Sequence, residues 1–571
     1  MHFVKKVPTS EEEKAAKKKE QDKKSKQYLH VRDRIVGKRK NDEYDDEMLS
    51  LTQQILERNA DIYTFWNIRR TAIERRIESN RLVQENSEVD EQEKTNSQRI
   101  LENLLVGELF LSYECIKGNP KSYSAWYQRA WILERQQSPD FEKELSMCEK
   151  ALQMDCRNFH CWDHRRIVAR LAKRTEEQEI EFSNKLVDEN FSNYSAWHYR
   201  SISLKKYHFE KSGELKLEDE TIAEELDKVK NAFYMDAEDQ SAWSYTRWLL
   251  EVGSGKEFLR PESSTSISLI SATYHGNRTT LVFTRAVTLD KLLTFVDTED
   301  RTSWRAFSST SPNPTSSRVW QFLSDSSIRI VDETSGGFTD IREKGYINQE
   351  ILRKIYDLTP IEVPKSIGTL LDDCKQLAEL EPNNKWPIYM RTLIQIEYTP
   401  AEAHDEIFGN LEKLATSLDP NRSQLYKSVA SRQSLNTAIR KFLLDNNSER
   451  LAARYLNLTS LEGLEYVAGL VAEIDLAGNK LGEIHRIVLP NLTSLTIDEN
   501  PVKTLRPTAS LSHLKFLSIA NTQVSTIDDV VPFLQLCPSL DRLVFCETEL
   551  VEKTEQLRSQ LPGIRLIPHW L

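Results

Sequence analysis

Apolar residues in the first half of the chain recur at the spacing of a buried helix face. In the segments 144–158, 179–193 and 224–239 they fall at positions i, i+3, i+4 and i+7, which is the periodicity of an amphipathic helix. Each segment ends in polar residues, and the next helix opens at an asparagine or a serine, both good N-cap residues. The pattern predicts a series of helical hairpins.

A tryptophan recurs in each of these hairpins, and an arginine follows it three positions later in four of the five. The residues are Trp66, Trp126, Trp162, Trp197 and Trp243, with Arg69, Arg129, Arg165 and Arg200. Successive tryptophans are 60, 36, 35 and 46 residues apart, and a period near 35 is typical of helical-hairpin arrays. A buried tryptophan removes about 150–250 Å² from water, and a guanidinium on the same helix face can pair with a carboxylate or a carbonyl. We therefore expect both residue types to pack neighbouring hairpins together.

The helical pattern stops after Trp243 and resumes later in the chain. A weaker sixth unit, 379–392, is anchored on Trp386, and a degenerate seventh is predicted at 414–432. Between them lie six or seven short β-branched runs, including 291–298, separated by Ser, Pro and Asn turns. Such spacing predicts an immunoglobulin-like β-sandwich, whose core would rest on Trp304, Trp320 and aliphatic residues.

The last third of the chain follows the pattern L-x-x-L-x-L-x-x-N of leucine-rich repeats. Successive turns, 21 and 22 residues apart, are marked by Ile474, Leu495 and Leu517. Asn479 and Asn500 occupy the ladder position, where a side-chain amide can satisfy open backbone groups. The third turn has Thr522 at that position and an asparagine one residue early, so we expect it to be imperfect.

These patterns together predict a multidomain chain that is mainly α-helical. It consists of helical-hairpin repeats in an α–α superhelix, an inserted immunoglobulin-like β-sandwich and a C-terminal leucine-rich-repeat domain. A length of 571 residues is too great for one hydrophobic core. The predicted limits are 1–40 for a basic N-terminal segment, 41–252 for the helical repeats, 256–343 for the sandwich, 344–445 for the resumed helices and 446–571 for the leucine-rich repeats.

Composition narrows the classes of function. The net charge of −11 argues against nucleic acid as the main partner, which needs a concentrated basic surface. Residues 1–40 are the exception, with fourteen Lys and Arg against six Asp and Glu, and we interpret them as a solvated helix. No apolar run approaches the ~20 residues of a transmembrane helix. Seven scattered cysteines indicate a reducing compartment, so we expect a cytoplasmic protein without a membrane span.

The motif around the tryptophans resembles the N-Y-x-x-W-x-x-R repeat of protein prenyltransferase α subunits. Two units carry it most fully: Asn158, Phe159, Trp162 and Arg165, then Asn193, Tyr194, Trp197 and Arg200. The order of hairpins, β insert, further hairpins and leucine-rich repeats is similar to that of the α subunits of animal Rab geranylgeranyltransferases. Farnesyltransferase α subunits resemble the helical part and lack the two extra domains.

This resemblance implies a role in a heterodimeric transferase. The complex would move geranylgeranyl groups from geranylgeranyl diphosphate to C-terminal cysteines of Rab GTPases. A separate prenyltransferase β subunit would bind zinc and carry most of the catalytic centre, while this chain provides assembly and docking for a Rab escort protein. The alternative is a non-enzymatic interaction scaffold, since both kinds of repeat commonly bind proteins.

The resemblance also suggests which residues approach the diphosphate. Farnesyltransferase relatives read Lys-Asn-Tyr-His before the repeat tryptophan, and here the segment is Arg157, Asn158, Phe159 and His160. Arg157 would stabilise charge on the departing diphosphate, whereas Phe159 lacks the tyrosine hydroxyl. Tyr194, preceded by Asn193, is the next candidate one repeat later. His2, near the N-terminus, is a candidate reversible ligand of the partner's zinc.

A zinc site within this chain is the competing chemical hypothesis. Cys156, His160, Cys161 and His164 are ligand types that zinc accepts, and the two histidines are one helical turn apart. The sister units place ordinary residues, such as Ser195 and Tyr199, at the histidine positions, which favours packing instead. Glycine-rich phosphate loops, G-x-S-x-G and H-E-x-x-H motifs do not occur in the sequence.

Overall fold

The computed structural model describes residues 11–213, 217–254, 267–275, 277–298, 300–308, 314–324, 328–331, 338–342, 345–356, 362–445, 448–484, 487–505 and 511–569. Contacts within the chain divide it into two compact units, Met1–Lys211 and Ser212–Leu571. No helix within the described ranges is both long enough and apolar enough to cross a membrane.

Helices build the first unit. They are α1 (Glu11–Lys40), α2 (Asp46–Leu56), α3 (Tyr63–Glu85), α4 (Glu91–Gly118), α5 (Tyr123–Leu133), α6 (Phe141–Met154), α7 (Phe159–Leu171), α8 (Glu176–Glu189) and α9 (Tyr194–Ser212). Side-chain N-caps begin several of them: Asp45, Asp90, Asp140 and Thr175 each accept a bond from a backbone N–H of the first turn. Consecutive helices pair, α4 with α5 and α6 with α7, so the predicted helical hairpins are confirmed.

Every repeat tryptophan is buried and makes the same hydrogen bond. Its indole Nε1–H donates to the backbone carbonyl six residues earlier, at 2.8–2.9 Å. The pairs are Trp66 with Ala60, Trp126 with Pro120, Trp162 with Cys156, Trp197 with Phe191, and Trp243 with Ala237. The bond satisfies the one polar group of a side chain that is otherwise apolar. The tryptophan therefore fixes the loop before its helix as well as filling the core.

Helical hairpins continue in the second unit. Its main helices are α10 (Asp219–Met235), α11 (Gln240–Ser254), α12 (Leu289–Leu292), α13 (Gln349–Ile355), α14 (Lys365–Leu380), α15 (Lys385–Tyr398), α16 (His404–Lys413) and α17 (Ser423–Leu444). After the insert, α14 packs on α10 and α15 on α11. Asn384 Nδ2 donates to Ala237 O at 2.8 Å, as Asn158 Nδ2 donates to Pro120 O at 2.9 Å. The array therefore resumes in register.

Trp386 is not the anchor of the resumed unit, contrary to the sequence prediction. Asn384 caps α15, and the buried residue four positions later, where the earlier units have tryptophan, is Ile388. Trp386 lies only two positions after the cap and is half-buried. The predicted seventh unit, 414–432, covers a π-helical turn, Leu414–Leu418, and the start of α17.

The insert between α11 and α14 contains antiparallel β-structure. A five-stranded sheet has the order β3 (Trp304–Phe307), β4 (Ser316–Leu323), β2 (Arg278–Thr288), β1 (Leu269–His275) and β7 (Tyr346–Ile347), while β5 (Arg329–Val331) pairs with β6 (Phe338–Asp340). Trp320 is buried and Trp304 packs on Phe322. Segment 291–298, predicted as a strand, starts in the short helix α12, capped by Thr288. Its later part is paired as predicted, because Val296 forms an antiparallel bridge with Ile330 of β5.

A six-stranded parallel sheet follows the helices. It runs in chain order through β8 (Arg450–Ala452), β9 (Glu473–Asp475), β10 (Ser494–Thr496), β11 (Phe516–Ser518), β12 (Arg542–Val544) and β13 (Arg565–Ile567), with the helices α18 (Val531–Leu534) and α19 (Thr554–Gln560) on its connections. The register places Ile474 beside Leu495 and Leu495 beside Leu517. The residues that mark successive turns in the sequence are thus neighbours in one buried row.

The residue before each ladder position takes a left-handed backbone conformation. Gly478 has φ +68° and Glu499 has φ 57°. The irregular third turn follows the same rule, because Asn521 has φ 50° and Thr522 takes the ladder place, donating to Ile519 O at 2.8 Å. Asparagine tolerates the left-handed region better than most residues, so the early asparagine is accommodated.

The five-stranded and parallel sheets pack together within the second unit. Thr273 Oγ1 donates to Gly469 O at 2.9 Å, and Thr280 Oγ1 to Asn491 Oδ1 at 3.1 Å. Ile270 and Val282 belong to the same apolar core as the leucines of the parallel sheet. The two β regions therefore share a hydrophobic core, while other residues of the insert, including Leu281 and Phe283, form a core of their own.

Candidate functional site

The candidate site lies at the N-terminal ends of α7 and α9. Asn158 is buried, and its Oδ1 accepts bonds from the backbone N–H groups of His160 and Cys161 at 3.1 and 3.3 Å. Asn193 is also buried and accepts from Ala196 N at 3.1 Å. Both predicted asparagines thus cap helices, and their side chains are occupied by the fold.

The aromatic residue after each cap points the other way, into solvent. Phe159 is 63% exposed and Tyr194 is 49% exposed. Arg157 is exposed as well, and within the described part of the chain no side chain bonds to its guanidinium. An aromatic face and a free cation are therefore presented at one helix end, where backbone N–H groups favour negative charge.

His160 connects the exposed Phe159 ring at the start of α7 to the preceding hairpin. Its ring lies 3.9 Å from the Phe159 ring and 5.9 Å, edge-on, from the Tyr123 ring. Burial lowers the pKa of His160, with Asp163 and Asp61 opposing the shift. The imidazole is therefore neutral near pH 7 and packs as an aromatic group.

The sequence reading missed Lys121, which stands one repeat before Arg157 in the same register. Both residues precede a buried cap position by one and an exposed aromatic, Tyr123 or Phe159, by two. Lys121 Nζ lies 3.9 Å from Asp155 Oδ2, beside the loop that carries Arg157. Aligning the units on their tryptophans would have found it, because the lysine falls five residues before Trp126 just as Arg157 does before Trp162.

The predicted repeat arginines are buried against a set of glutamates that sequence reading also missed. Each glutamate lies 18 residues before a repeat tryptophan: Glu108, Glu144, Glu179 and Glu225. Each bonds to the side chain 20 residues later: Gln128, His164, Tyr199 and Tyr245 respectively. Three also bind a repeat arginine, Arg69 to Glu108, Arg129 to Glu144 and Arg165 to Glu179. We call these four residues the glutamate ladder.

Glu144 illustrates the electrostatics of the ladder. Its two carboxylate oxygens accept from Arg129 Nε and Nη2 at 2.5 and 2.7 Å, and His164 Nε2 lies 2.7 Å away. Burial raises the pKa of Glu144, but the bonds from His164 and Arg129 outweigh it and lower this pKa to about 2. Burial lowers the pKa of His164, so a neutral imidazole donates its Nε2–H to an ionised carboxylate.

Three of the four residues of the zinc hypothesis, His160, Cys161 and His164, are engaged in other contacts. His164 is bound to Glu144 as above, and Cys161 Sγ donates to Cys148 O at 3.5 Å. The His160 ring packs between Phe159 and Tyr123. Across the described ranges, no three His, Cys, Asp or Glu side chains are grouped so that they could hold a metal ion. His2, the other metal candidate, lies outside the described residues.

Because of the Glu144–His164 pair, we expect the free energy of unfolding to fall in acid. Unfolded His164 takes up a proton near pH 6.5 but the folded side chain does not, so the free energy of unfolding falls as the pH drops below about 6.5. A second loss follows between about pH 4.5 and 2, where Glu144 is protonated first in the unfolded chain. We expect His164→Gln, which copies Gln128, to remove the first loss and keep the second. The urea midpoints of unfolding at about pH 7.5 and 5.5 measure this change in stability. Exposed His30→Gln is the control. An equal fall of the midpoint between the two pH values in wild type and in His164→Gln would contradict the assignment.

Comparison with known proteins agrees with the repeat geometry. The family model "Protein prenyltransferase alpha subunit repeat" matches residues 105–136, 141–171, 176–207 and 222–252, which are the hairpins α4–α5, α6–α7, α8–α9 and α10–α11. These four hairpins thus match the α-subunit repeat of protein prenyltransferases.

The relatives extend over the whole chain. "Geranylgeranyl transferase type-2 subunit alpha" of Sus scrofa is 30% identical over 99% of this chain and 100% of that protein. The Homo sapiens protein of the same name is 31% identical over 99% of both chains, and that of Dictyostelium discoideum is 38% identical over 44% of this chain and 75% of its own length. The chain belongs to the family of geranylgeranyl transferase type-2 α subunits, and therefore to the α subunits of a transferase.

Among solved structures, "Candida albicans protein geranylgeranyltransferase-I complexed with GGPP" aligns with a TM-score of 0.41 and 18% identity. The alignment covers 72% of this chain and 91% of that chain.

Proposed function

We propose that this chain is the α subunit of a heterodimer that transfers geranylgeranyl groups from geranylgeranyl diphosphate to the C-terminal cysteines of Rab GTPases. The observation that carries the proposal is the match to type-2 α subunits over 99% of the chain. A prenyltransferase β subunit is the expected partner and would bind the zinc. The expected location is the cytoplasm.

In this proposal the edge formed by Arg157, Phe159 and Tyr194 faces the diphosphate of the substrate bound to the partner. Transfer forms a bond between the cysteine sulfur and C1 of the prenyl chain and breaks the bond from C1 to the diphosphate oxygen. Zinc on the partner, when bound, keeps the sulfur as a thiolate. Negative charge accumulates on the leaving diphosphate. Arg157, whose guanidinium bonds to no side chain among the described residues, would stabilise that charge, and Lys121 of the preceding repeat could add to it.

Asn158 and Asn193 serve this edge indirectly. Each holds the first turn of its helix with a buried side chain, which fixes the direction of the exposed ring that follows. His160 supports Phe159 from behind. We assign them a positioning role, while Arg157 and Tyr194 are the candidates for contact with substrate.

We further propose that residues 256–343 are an immunoglobulin-like sandwich and residues 446–571 a leucine-rich-repeat domain, flanking the resumed helices 344–445. The parallel strands spaced by one turn, with the asparagine ladder, support the second assignment. A Rab escort protein would dock on the helical repeats, 41–252. The alternative, a scaffold without a transferase role, predicts that the chain needs no β subunit.

Reconstitution with a type-2 β subunit tests the proposal. We expect prenyl transfer to a Rab–escort complex only when both chains are present, with zinc stoichiometry following the β subunit. Arg157→Ala is expected to lower kcat by about 10- to 100-fold without affecting assembly. Arg170→Ala, at the exposed far end of α7, is the matched control. Transfer by the β subunit alone, or no complex, would favour the scaffold.

The same complex tests His2 as a reversible ligand of the partner's zinc. Deletion of the first residues of the chain is then expected to change the X-ray absorption spectrum of the bound zinc and the rate of prenyl transfer. Unchanged values of both would remove His2 from the proposal.

A further inference from the structure

The first helix is held to the rest of its unit only near its C-terminal end. Ile35 is fully buried, Lys38 Nζ lies 2.8–3.2 Å from carboxylate oxygens of Glu43, Asp45 and Glu47, and Arg34 pairs with Glu47. From residue 15 to residue 30, by contrast, every side chain of α1 is exposed. About four turns of helix therefore extend from this anchor with no packing partner in the described residues.

The exposed part is strongly basic on all sides. Six lysines face two acidic residues between positions 15 and 27: Lys17, Lys18, Lys19, Lys23, Lys24 and Lys26 against Glu20 and Asp22. Lys24 pairs with Glu20 at 2.6 Å across one turn, and both side chains remain more than half exposed. Because the chain as a whole carries a net charge of −11, this segment is a local reversal of its sign.

The side chains of the segment favour a lipid surface over a protein groove as its partner. Helices that dock in protein grooves present apolar anchors at i, i+3, i+4 and i+7. In the exposed part of α1 the apolar side chains larger than alanine are Tyr28 and Leu29, which are adjacent and do not form that spacing, and residues 15–27 contain none. Protein interfaces are also depleted of lysine. Clusters of four to eight basic residues, in contrast, are attracted to anionic lipid headgroups without any specific fit.

We propose that residues 15–27 of α1 are an electrostatic arm that binds membrane surfaces rich in anionic lipid. The arm is helical, and its base is fixed by the Lys38 ion pairs. It would hold the first helical unit beside such a surface by charge alone, so binding must be reversible and sensitive to salt. This goes beyond the proposed transfer reaction and does not depend on it.

Vesicle flotation of the full chain tests the arm. We expect binding to vesicles of equal parts phosphatidylserine and phosphatidylcholine, and none to phosphatidylcholine alone. Each lysine near such a surface raises the partition coefficient by about fivefold, so the triple change Lys17→Gln, Lys18→Gln and Lys19→Gln should lower it about 100-fold. Raising the salt from about 0.1 M to about 1 M should release the wild type as well.

A triple variant elsewhere gives the matched control. Lys143→Gln, Lys150→Gln and Lys185→Gln remove the same charge from exposed positions on α6 and α8, and binding should change by less than about twofold if the arm carries the attraction. Equal losses in both triple variants would overturn the proposal, as would wild-type binding to neutral vesicles alone. The proposal would also be overturned if the changes at Lys17, Lys18 and Lys19 weakened assembly with the β subunit but left vesicle binding unchanged.

Discussion

Replacement of Glu144 by alanine is expected to destabilise the first helical unit by about 3–5 kcal/mol. The carboxylate holds Arg129 from the preceding hairpin and His164 from its own. Without it, the guanidinium is left buried beside a neutral imidazole, and a buried charge without its counter-ion is far more costly than the pair is favourable. The bonds of Arg129 to Leu109 O and Ser112 Oγ cannot neutralise that charge.

Hydrogen exchange during urea unfolding measures this effect where it arises. Amides of α6 and α7 should exchange at lower urea in Glu144→Ala, while those of the parallel sheet in the second unit stay at their wild-type values. Glu142→Ala, two residues away on the same helix and 82% exposed in its side chain, should change stability by no more than about 0.5 kcal/mol. A similar small effect for Glu144→Ala would mean that the ladder does not hold the hairpins together.

The glutamate ladder is the part of the helical packing that was not predicted from the sequence. The recurring tryptophans, two of whose spacings are 36 and 35 residues, identified the hairpins, because burial of so large a side chain is nearly obligatory. Glu108, Glu144 and Glu179 are charged, and charged residues are mostly exposed, so no buried role for them was predicted from the sequence. Only the packed structure puts an arginine of one hairpin within bonding distance of a glutamate of the next. The constant offset of 18 residues before tryptophan was the available signal.

The errors in the sequence reading have local physical causes. The prediction that Trp386 anchors the sixth hairpin rested on its residue type. The cap at Asn384 sets the register of α15 and places Ile388, not Trp386, in the core. Segment 291–298 has β-branched and aromatic residues, and its later part pairs with β5 at Val296. The Thr288 hydroxyl caps a helical turn at the start of the segment, where a cap outweighs weak strand propensity. For the candidate site, the helix caps followed from the motif, whereas the exposure of the Phe159 and Tyr194 rings is seen only in the structure. Lys121 required the units to be aligned on their tryptophans.

The regular part of the C-terminal region was predictable, because one short pattern dictates both strand and turn. Leu495 and Leu517 were placed in neighbouring turns from their spacing alone, and they are paired in the sheet. The polar ladder position could be named from the sequence, but its strength depends on how many backbone groups each side chain reaches. Asn500 and Thr522 differ in this respect, which gives a second test of large expected effect.

Asn500→Ala is expected to destabilise the parallel-sheet region by about 3 kcal/mol. The buried Nδ2 donates to Leu476 O, Ile497 O and Asp498 O at 2.9–3.1 Å, and Oδ1 accepts from Leu481 N at 3.0 Å. Alanine removes the partners of Ile497 O and Leu481 N in a buried turn, where each unmade bond costs about 1–3 kcal/mol before relaxation. Leu476 O keeps its bond from Asn479 Nδ2, and Asp498 O keeps its bond from Gly478 N.

Thr522→Ala is the matched comparison at the next ladder position. Thr522 donates one bond, to Ile519 O, so its loss should cost only about 1 kcal/mol. Urea unfolding followed by hydrogen exchange at the Leu481 amide separates the two variants, since that amide loses its acceptor only in Asn500→Ala. Equal destabilisation by both substitutions would show that the ladder position contributes through packing volume, which the two side chains share, and not through the number of backbone groups satisfied.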